Sequence, residues 1–297
     1  MMKILLLGRY GQVGWEARRV LSTLGEVAAL DYPEVDFTQP SQLQKLVAEM
    51  KPAVIYNAAA YTAVDRAETE VERARLINAT AVGVLAESAA KAGAVLVHFS
   101  TDYVFDGEKG SAYQETDAPN PLSVYGQTKL EGELAVQQVD CAYLIFRTAW
   151  VYSRRRDSFV AKVLQWARER SVIRVVEDQV SNPTWARSLA EITGQVLAKG
   201  GDQVLEWVSE RRGVYHLAGS GIASRLAWAR AILSSRPQTE PPVEIRPALT
   251  SDFPTPARRP LYSALDSSLF TRTFGLQLPP WELALQLAME DPAENLG

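Results

Sequence analysis

Cysteine and histidine are nearly missing from this chain. One cysteine, Cys141, in 297 residues rules out an intrachain disulfide, and no Cys/His spacing resembles a zinc site. The two histidines, His98 and His216, are too few for a histidine-based metal centre, and no metal is expected. Basic charge is not in excess either. A net charge of −4 offers no footprint for nucleic acid. No apolar run near the amino end is long enough for a signal peptide or a spanning helix, so no membrane partner is expected. Internal repeats and low-complexity stretches are also missing. What remains, 47% hydrophobic and 22% charged residues, is the composition of an ordinary soluble protein. It is long enough for a well-buried core in one large domain or two modest ones, and a cytoplasmic enzyme is expected.

The first half reads as strands alternating with helices. Ile4 to Leu7 is a short all-apolar run, as in a parallel strand buried on both faces. It runs into Gly8-Arg9-Tyr10-Gly11-Gln12-Val13-Gly14 and then a helical stretch from Gln12 to Leu24. Strand, glycine loop and helix in this order form a dinucleotide site. The missing side chains admit a pyrophosphate, and the helix amino terminus supplies N–H groups and a favourable dipole. Val27 to Leu30 is a second strand ending at Asp31, placed to accept from the adenosine ribose hydroxyls, although a turn role before Pro33 explains it as well. An acid there favours NADH, whereas Arg9 could offset its repulsion of a 2′-phosphate, so NADPH and NADH both stay open. Asp36 and Phe37 could flank the adenine, although a helix-entry role before Ser41 to Met50 explains them as well. A third strand, Ala53 to Tyr56, leads into Asn57 and the small residues Ala58, Ala59 and Ala60, then Tyr61 and Thr62, where a cofactor can lie against the backbone. Val71 to Ala92 reads as one long helix, and Ala94 to Phe99 as a fourth strand with His98 a structural residue inside it.

Ser100 and Thr101 then fall at the carboxyl end of the fourth strand, where a nicotinamide is expected. A turn-rich loop follows, then a helix from Leu122 to Gln137 bearing Tyr125 and Lys129. Positions i and i+4 share a helix face, so phenol and ammonium can converge beside the Thr101 hydroxyl. Such a set moves a proton to or from an alcohol or ketone oxygen. Cys141 to Tyr152 reads as a fifth strand, with Trp150 placed to stack on a sugar or nicotinamide.

The glycine spacing resembles that of extended short-chain dehydrogenase/reductases, whose fold is a Rossmann-type doubly wound parallel α/β sheet with a smaller, mixed C-terminal substrate domain. More closely, GxxGQVG, NAAAYTAVDRAE, HFSTDYVFDG, VYGQTKLEGE, FRTAWVY and PTPARRP resemble dTDP-4-dehydrorhamnose reductases over nearly the whole chain. That resemblance implies Thr101, Tyr125 and Lys129 as the catalytic set. Tyr125 would be the proton donor to the sugar's carbonyl oxygen. Lys129 would lower the phenol's pKa from about 10 and hold the nicotinamide ribose, and Thr101 would orient the carbonyl. Coenzyme contacts are expected from Gly8, Tyr10, Gly11, Gln12, Val13, Gly14, Asp31, Asp36, Phe37, Ala58 to Thr62, Ser100, Tyr125 and Lys129. Substrate contacts are expected from Thr101, Asp102, Trp150 and Arg259. Related dehydratases carry Asp-Glu after the threonine for water elimination. Here the pair is Asp102-Tyr103, which favours ketone reduction, with another nucleotide-sugar reductase or a 4-epimerase as the rival. A non-catalytic nucleotide-binding subunit would have lost one of the three catalytic residues.

Residues 1–152 are assigned to the coenzyme-binding domain, with about 180–219 returning to it, and 153–297 mainly to the substrate domain. The second half reads as helices at Ser158 to Arg170, Ala186 to Ala198 and Ala223 to Leu233, with strands at Val172 to Glu177, Val214 to Leu217 and Val243 to Pro247. Arg258-Arg259 is the candidate for the substrate's diphosphate, ahead of the solvated run Arg154-Arg155-Arg156. Some members of the family dimerise around magnesium held by acids. Glu16 and Asp291 could fill two such positions, but Arg187 stands where an acid is expected, and monomer or metal-free homodimer stays open.

Overall fold

The structure is a computed structural model and describes residues 2–155, 157–236, 239 and 241–290. The chain opens β1 (Met2–Leu7), α1 (Gln12–Leu21), β2 (Gly25–Leu30), α2 (Pro40–Met50) and β3 (Val54–Asn57). Two short helices, α3 (Val64–Ala67) and α4 (Val71–Arg75), precede α5 (Ala81–Ala92), and a π turn over Leu76–Thr80 interrupts the single long helix expected there. Next come β4 (Val95–Thr101), α6 (Val124–Gln137) and β5 (Ala142–Thr148). The remainder runs β6 (Val151–Tyr152), α7 (Phe159–Glu169), β7 (Val172–Val176), β8 (Val180–Ser181), β9 (Thr184–Trp185), α8 (Ala186–Gly200), α9 (Val204–Ser209), β10 (Gly213–His216), β11 (Ala223–Ser224), α10 (Arg225–Ser234), β12 (Glu244–Ala248), α11 (Ser268–Phe274) and α12 (Trp281–Glu290).

Six strands form one parallel sheet in the order β10-β5-β4-β3-β1-β2. This is the doubly wound Rossmann-type arrangement that the sequence implied. Its cause is visible in β1. Successive side chains point to opposite faces, and all four residues Ile4 to Leu7 are fully buried. Ile4 and Leu6 pack with Ala17 and Leu21 of α1 and Leu189 of α8, while Leu5 and Leu7 pack with Leu43 of α2 and Leu85 of α5. Burying a leucine or isoleucine stabilises by about 1.5–3 kcal/mol, so the central strands anchor both layers. A further apolar cluster joins Val160, Ile173, Trp185, Trp228 and Trp281 around the pair β7 and β12.

The fifth strand stops earlier than expected. Trp150 has φ 43°, a backbone that a bulky L-residue rarely adopts and that cannot continue the ladder. The chain therefore leaves the main sheet after Thr148, and Val151–Tyr152 pairs instead with Thr184–Trp185. This corner delivers Trp150 to the carboxyl end of the sheet, where ligands bind in open α/β folds.

Candidate active site

The glycine loop is shaped for a dinucleotide. Gly8 has φ +85°, and a Cβ there would sit 2.7 Å from Ala59 N. A Cβ on Gly14 would lie 2.0 Å from Gly8 O, so the loop and α1 touch only because no side chain intervenes. Gly11 caps α1 without any side-chain bond to the first turn, leaving backbone donors and the positive helix end for an anion. This cradle and these unused donors fit a pyrophosphate. At the neighbouring strand end, Asp31 accepts from the backbone N–H groups of Tyr10 (2.9 Å) and Tyr32 (2.8 Å). Arg9 donates to Ala29 O and Glu34. Asp36 takes the helix-entry role that the sequence also allowed, accepting from Thr38 Oγ1 (2.7 Å) and Thr38 N (2.8 Å). That pulls its pKa below the ordinary carboxylate value. Phe37 is packed in the core with Leu43 and Val47.

The loop after β3 is tied to the helix that carries Tyr125. Tyr61 N donates to Asn78 Oδ1 (2.9 Å), and the Asn78 amide donates to Tyr61 O (3.1 Å) and Thr128 Oγ1 (3.2 Å). Asn78 belongs to the π turn, whose wider winding projects it between loop and helix. Ser123 caps α6 by accepting from Gly126 N (3.2 Å), an interaction worth about 1 kcal/mol.

Thr101 ends β4 and Tyr125 stands in the first turn of α6, so the Thr101 hydroxyl lies beside the phenol. The Tyr103 and Tyr125 rings meet edge-on, with centroids 5.7 Å apart. Lys129, one turn on, is 1% exposed and reaches Phe99 O (2.6 Å) and His98 Nε2 (3.2 Å). One expectation is corrected here. The Tyr125 phenol is pushed up rather than down, because enclosure disfavours the phenolate more strongly than Thr101 supports it. Burial also pulls Lys129 down to about 8, with Glu133 opposing, and its nitrogen is turned toward His98 and Phe99.

His98 lies inside β4 and is engaged at both ring nitrogens. Its Nδ1 meets the Asn57 amide nitrogen at 3.1 Å, and Asn57 Oδ1 accepts from Ala59 N at 3.2 Å. Asn57, His98 and Lys129 thus form a buried chain that reaches from the loop after β3 to α6. Desolvation drives His98 well below its ordinary pKa, keeping the ring neutral. Alternating glycine loop, strand and helix gave no hint of this contact across the sheet.

Ser100 and Thr101 point to opposite faces of β4. The Ser100 hydroxyl donates to Glu133, which also holds Arg147 through two guanidinium nitrogens. Its side chain thus serves the α6 anchor and not the face that carries Thr101. Asp102 is 2% exposed and receives hydrogen bonds from Thr101 (3.0 Å), Ser181 (3.2 Å) and Ser263 (2.5 Å). Burial still lifts it to about 6. Trp150 stacks on Trp228 at 5.5 Å and 12°. Arg259 donates to Asp65 (2.7 Å) and Thr255 (2.5 Å), while Arg258 is exposed.

These features, a coenzyme cradle and a Thr-Tyr-Lys set at one end of a parallel sheet, match a known pattern throughout the chain. The family model described as the RmlD substrate binding domain matches residues 2–293. The chain belongs to the RmlD family of dTDP-4-dehydrorhamnose reductases. A dTDP-4-dehydrorhamnose reductase of Burkholderia thailandensis is 43% identical over 301 residues, covering 98% of this chain and 99% of that protein. The solved structure of a dTDP-4-dehydrorhamnose reductase from Clostridium acetobutylicum aligns with a TM-score of 0.89 at 36% identity, covering 97% of this chain and 99% of the other. The Bacillus anthracis structure, in complex with NADP, also gives 0.89, at 32% identity and 98% and 99% coverage.

Of the residues weighed for a magnesium site, Glu16 is buried in α1. Arg187 pairs with Glu191 at 3.0 Å. Asp291 lies outside the described residues, as does Arg156 of the arginine run. No described helix is long and apolar enough to cross a membrane.

Proposed function

We propose that this chain reduces the 4-keto group of dTDP-4-dehydro-β-L-rhamnose to give dTDP-L-rhamnose, in the cytoplasm, with NADPH or NADH as coenzyme. What supports the reading is membership of this family over nearly the whole chain, together with the Thr101 hydroxyl beside the Tyr125 phenol in a fold that also carries the Gly8–Gly14 cradle. The reduced nicotinamide supplies the hydride.

The residues of the chain supply the rest. Tyr125 gives its proton to the carbonyl oxygen as negative charge develops there, and its raised pKa keeps that proton in place until the oxygen needs it. The Thr101 hydroxyl orients the same oxygen. Lys129 supports the phenol from one turn below and reaches the ribose hydroxyls of the coenzyme. Trp150 offers its face to the sugar. Gly8, Gly11 and Gly14 admit the pyrophosphate, which Gln12 and Val13 meet with backbone N–H groups. Asp31 faces the adenosine ribose, and Ala58 to Thr62 line the coenzyme's path.

The test is coenzyme oxidation with synthetic dTDP-4-dehydro-L-rhamnose, run with NADH and with NADPH. One coenzyme oxidised per sugar consumed is expected, with dTDP-L-rhamnose as product. Conversion of the sugar without net oxidation would instead identify an epimerase. No consumption of either coenzyme would sink the substrate assignment.

A further inference from the structure

Arg225 opens α10, just after Ser224, whose hydroxyl caps the helix by accepting from Ala227 N at 3.0 Å. Its guanidinium carbon lies 3.7 Å from the Trp150 ring centroid, 4.8 Å from that of Phe159 and 5.4 Å from that of Trp228. Aromatic rings hold a guanidinium through its face, whereas its N–H donors radiate from its edge. Stacking therefore fixes the plane without using those donors. Its backbone N–H donates to Gln179 O at 3.0 Å, but among the described residues no carboxylate forms an ion pair with the Arg225 guanidinium and no acceptor takes a hydrogen bond from it. Asp102 and Tyr103 are near enough to favour its charge, and Arg259 is near enough to oppose it.

The contrast with Arg259 is instructive. Both guanidinium nitrogens of Arg259 that form bonds are engaged, with Asp65, Thr255 and Ala257 O. Its charge is largely answered within the protein. Arg225 faces the same neighbourhood, braced against the tryptophan that the sugar is proposed to meet, its charge favoured by Asp102 only at a distance and its guanidinium donors in no hydrogen bond with a described residue. A half-buried cation in that condition is completed by an oxyanion that can take two parallel N–H bonds.

We infer that Arg225 grips the diphosphate of a nucleoside-diphosphate sugar, with its guanidinium edge on the phosphate oxygens and Trp150 bracing its face. This rests on the reading of the site as one for a nucleotide sugar. It assigns the principal phosphate contact to a residue some 30 positions before the PTPARRP loop, where Arg258-Arg259 had been the candidate.

The experiment is a calorimetric titration of the full chain with dTDP, dTMP and thymidine, comparing wild type with Arg225→Gln and Arg225→Lys. For Arg225→Gln the dTDP Kd should rise at least tenfold, with weaker salt dependence, while thymidine and NADPH binding stay within twofold. Arg225→Lys should recover part of the loss, since an ammonium restores charge but not the two-point grip. A dTDP Kd within twofold of wild type in Arg225→Gln overturns the inference, as does equal weakening of thymidine. If Arg225→Gln fails to bind NADPH, and so fails to fold, Arg225→Lys carries the test, and unchanged dTDP binding there overturns it. If wild type binds dTDP through Arg225 but oxidises no coenzyme with dTDP-4-dehydro-L-rhamnose, the sugar assignment falls and the subsite stands. If the sugar is reduced but Arg225→Gln binds dTDP normally, the subsite alone falls.

Discussion

Lys129 Nζ lies 3.2 Å from His98 Nε2, on the side away from solvent. Because Asn57 Oδ1 accepts from Ala59 N, the Asn57 amide nitrogen is the atom that faces His98 Nδ1. The ring is therefore set by a partner on β3 and in turn bears on the lysine. Replacing His98 with Leu removes that contact and orphans a buried amide donor, a loss on the order of 1–3 kcal/mol. The expected outcome is a fall in kcat of about tenfold and a lower melting temperature, with the KM for the sugar changed less than twofold. Initial rates and thermal unfolding check it, and an unaltered kcat returns His98 to a packing role.

Removing the proton donor should be far more costly. Tyr125→Phe keeps the ring and its contact with Tyr103 but has no proton to give. A positioned acid contributes about 10²–10⁴-fold, so kcat should fall by that range while NADPH binding, followed by fluorescence, is retained. Undiminished turnover would refute the role given to Tyr125.

Asp102 makes stability depend on pH in an unusual direction. Its folded pKa, about 6, lies above the ordinary carboxylate value of 3.8, so the fold prefers the protonated carboxyl. Its contribution is complete below about pH 4 and is lost as pH rises through 6. A shift of this size corresponds to roughly 3 kcal/mol. Asp102→Asn should therefore raise stability at pH 8 relative to pH 4, flattening the curve between those values. Urea unfolding at both pH values provides the measurement, and an identical pH dependence in the two proteins would contradict it.

The cradle tolerates no side chain. In Gly14→Ala the new Cβ would sit 2.0 Å from Gly8 O, so loop and helix must separate. NADPH affinity should drop at least a hundredfold, measured by equilibrium titration. Wild-type affinity in this variant would mean that the pyrophosphate does not use this loop.

Much of this arrangement was legible in the sequence because it is local. The apolar run of β1, the glycine spacing and the four-residue interval from Tyr125 to Lys129 each reflect chain geometry over a few residues. Contacts across the sheet were not legible. His98 meets Lys129 over 31 positions, and its apolar neighbours on β4 gave it the look of a core residue. Arg225 reaches Trp150 only because the chain turns a corner at φ 43°, which no composition cue marks. Asp102 illustrates the same limit. The resemblance implied a substrate contact for it, and nothing in the sequence marked Ser181 and Ser263 as its hydroxyl partners.

Those two serines bear on how such a protein can be recombined. They arrive 79 and 161 positions after Asp102, Ser181 from the segment assigned back to the coenzyme-binding domain and Ser263 from the part assigned to the substrate domain. Grafting a foreign C-terminal half onto this coenzyme-binding half would leave a buried carboxylate beside whatever side chains the donor happened to carry. A chimera that keeps a hydroxyl at both positions should keep the buried Asp102 carboxyl hydrogen-bonded beside Thr101. One that does not would need a matching change at Asp102 before any new sugar specificity could be expressed.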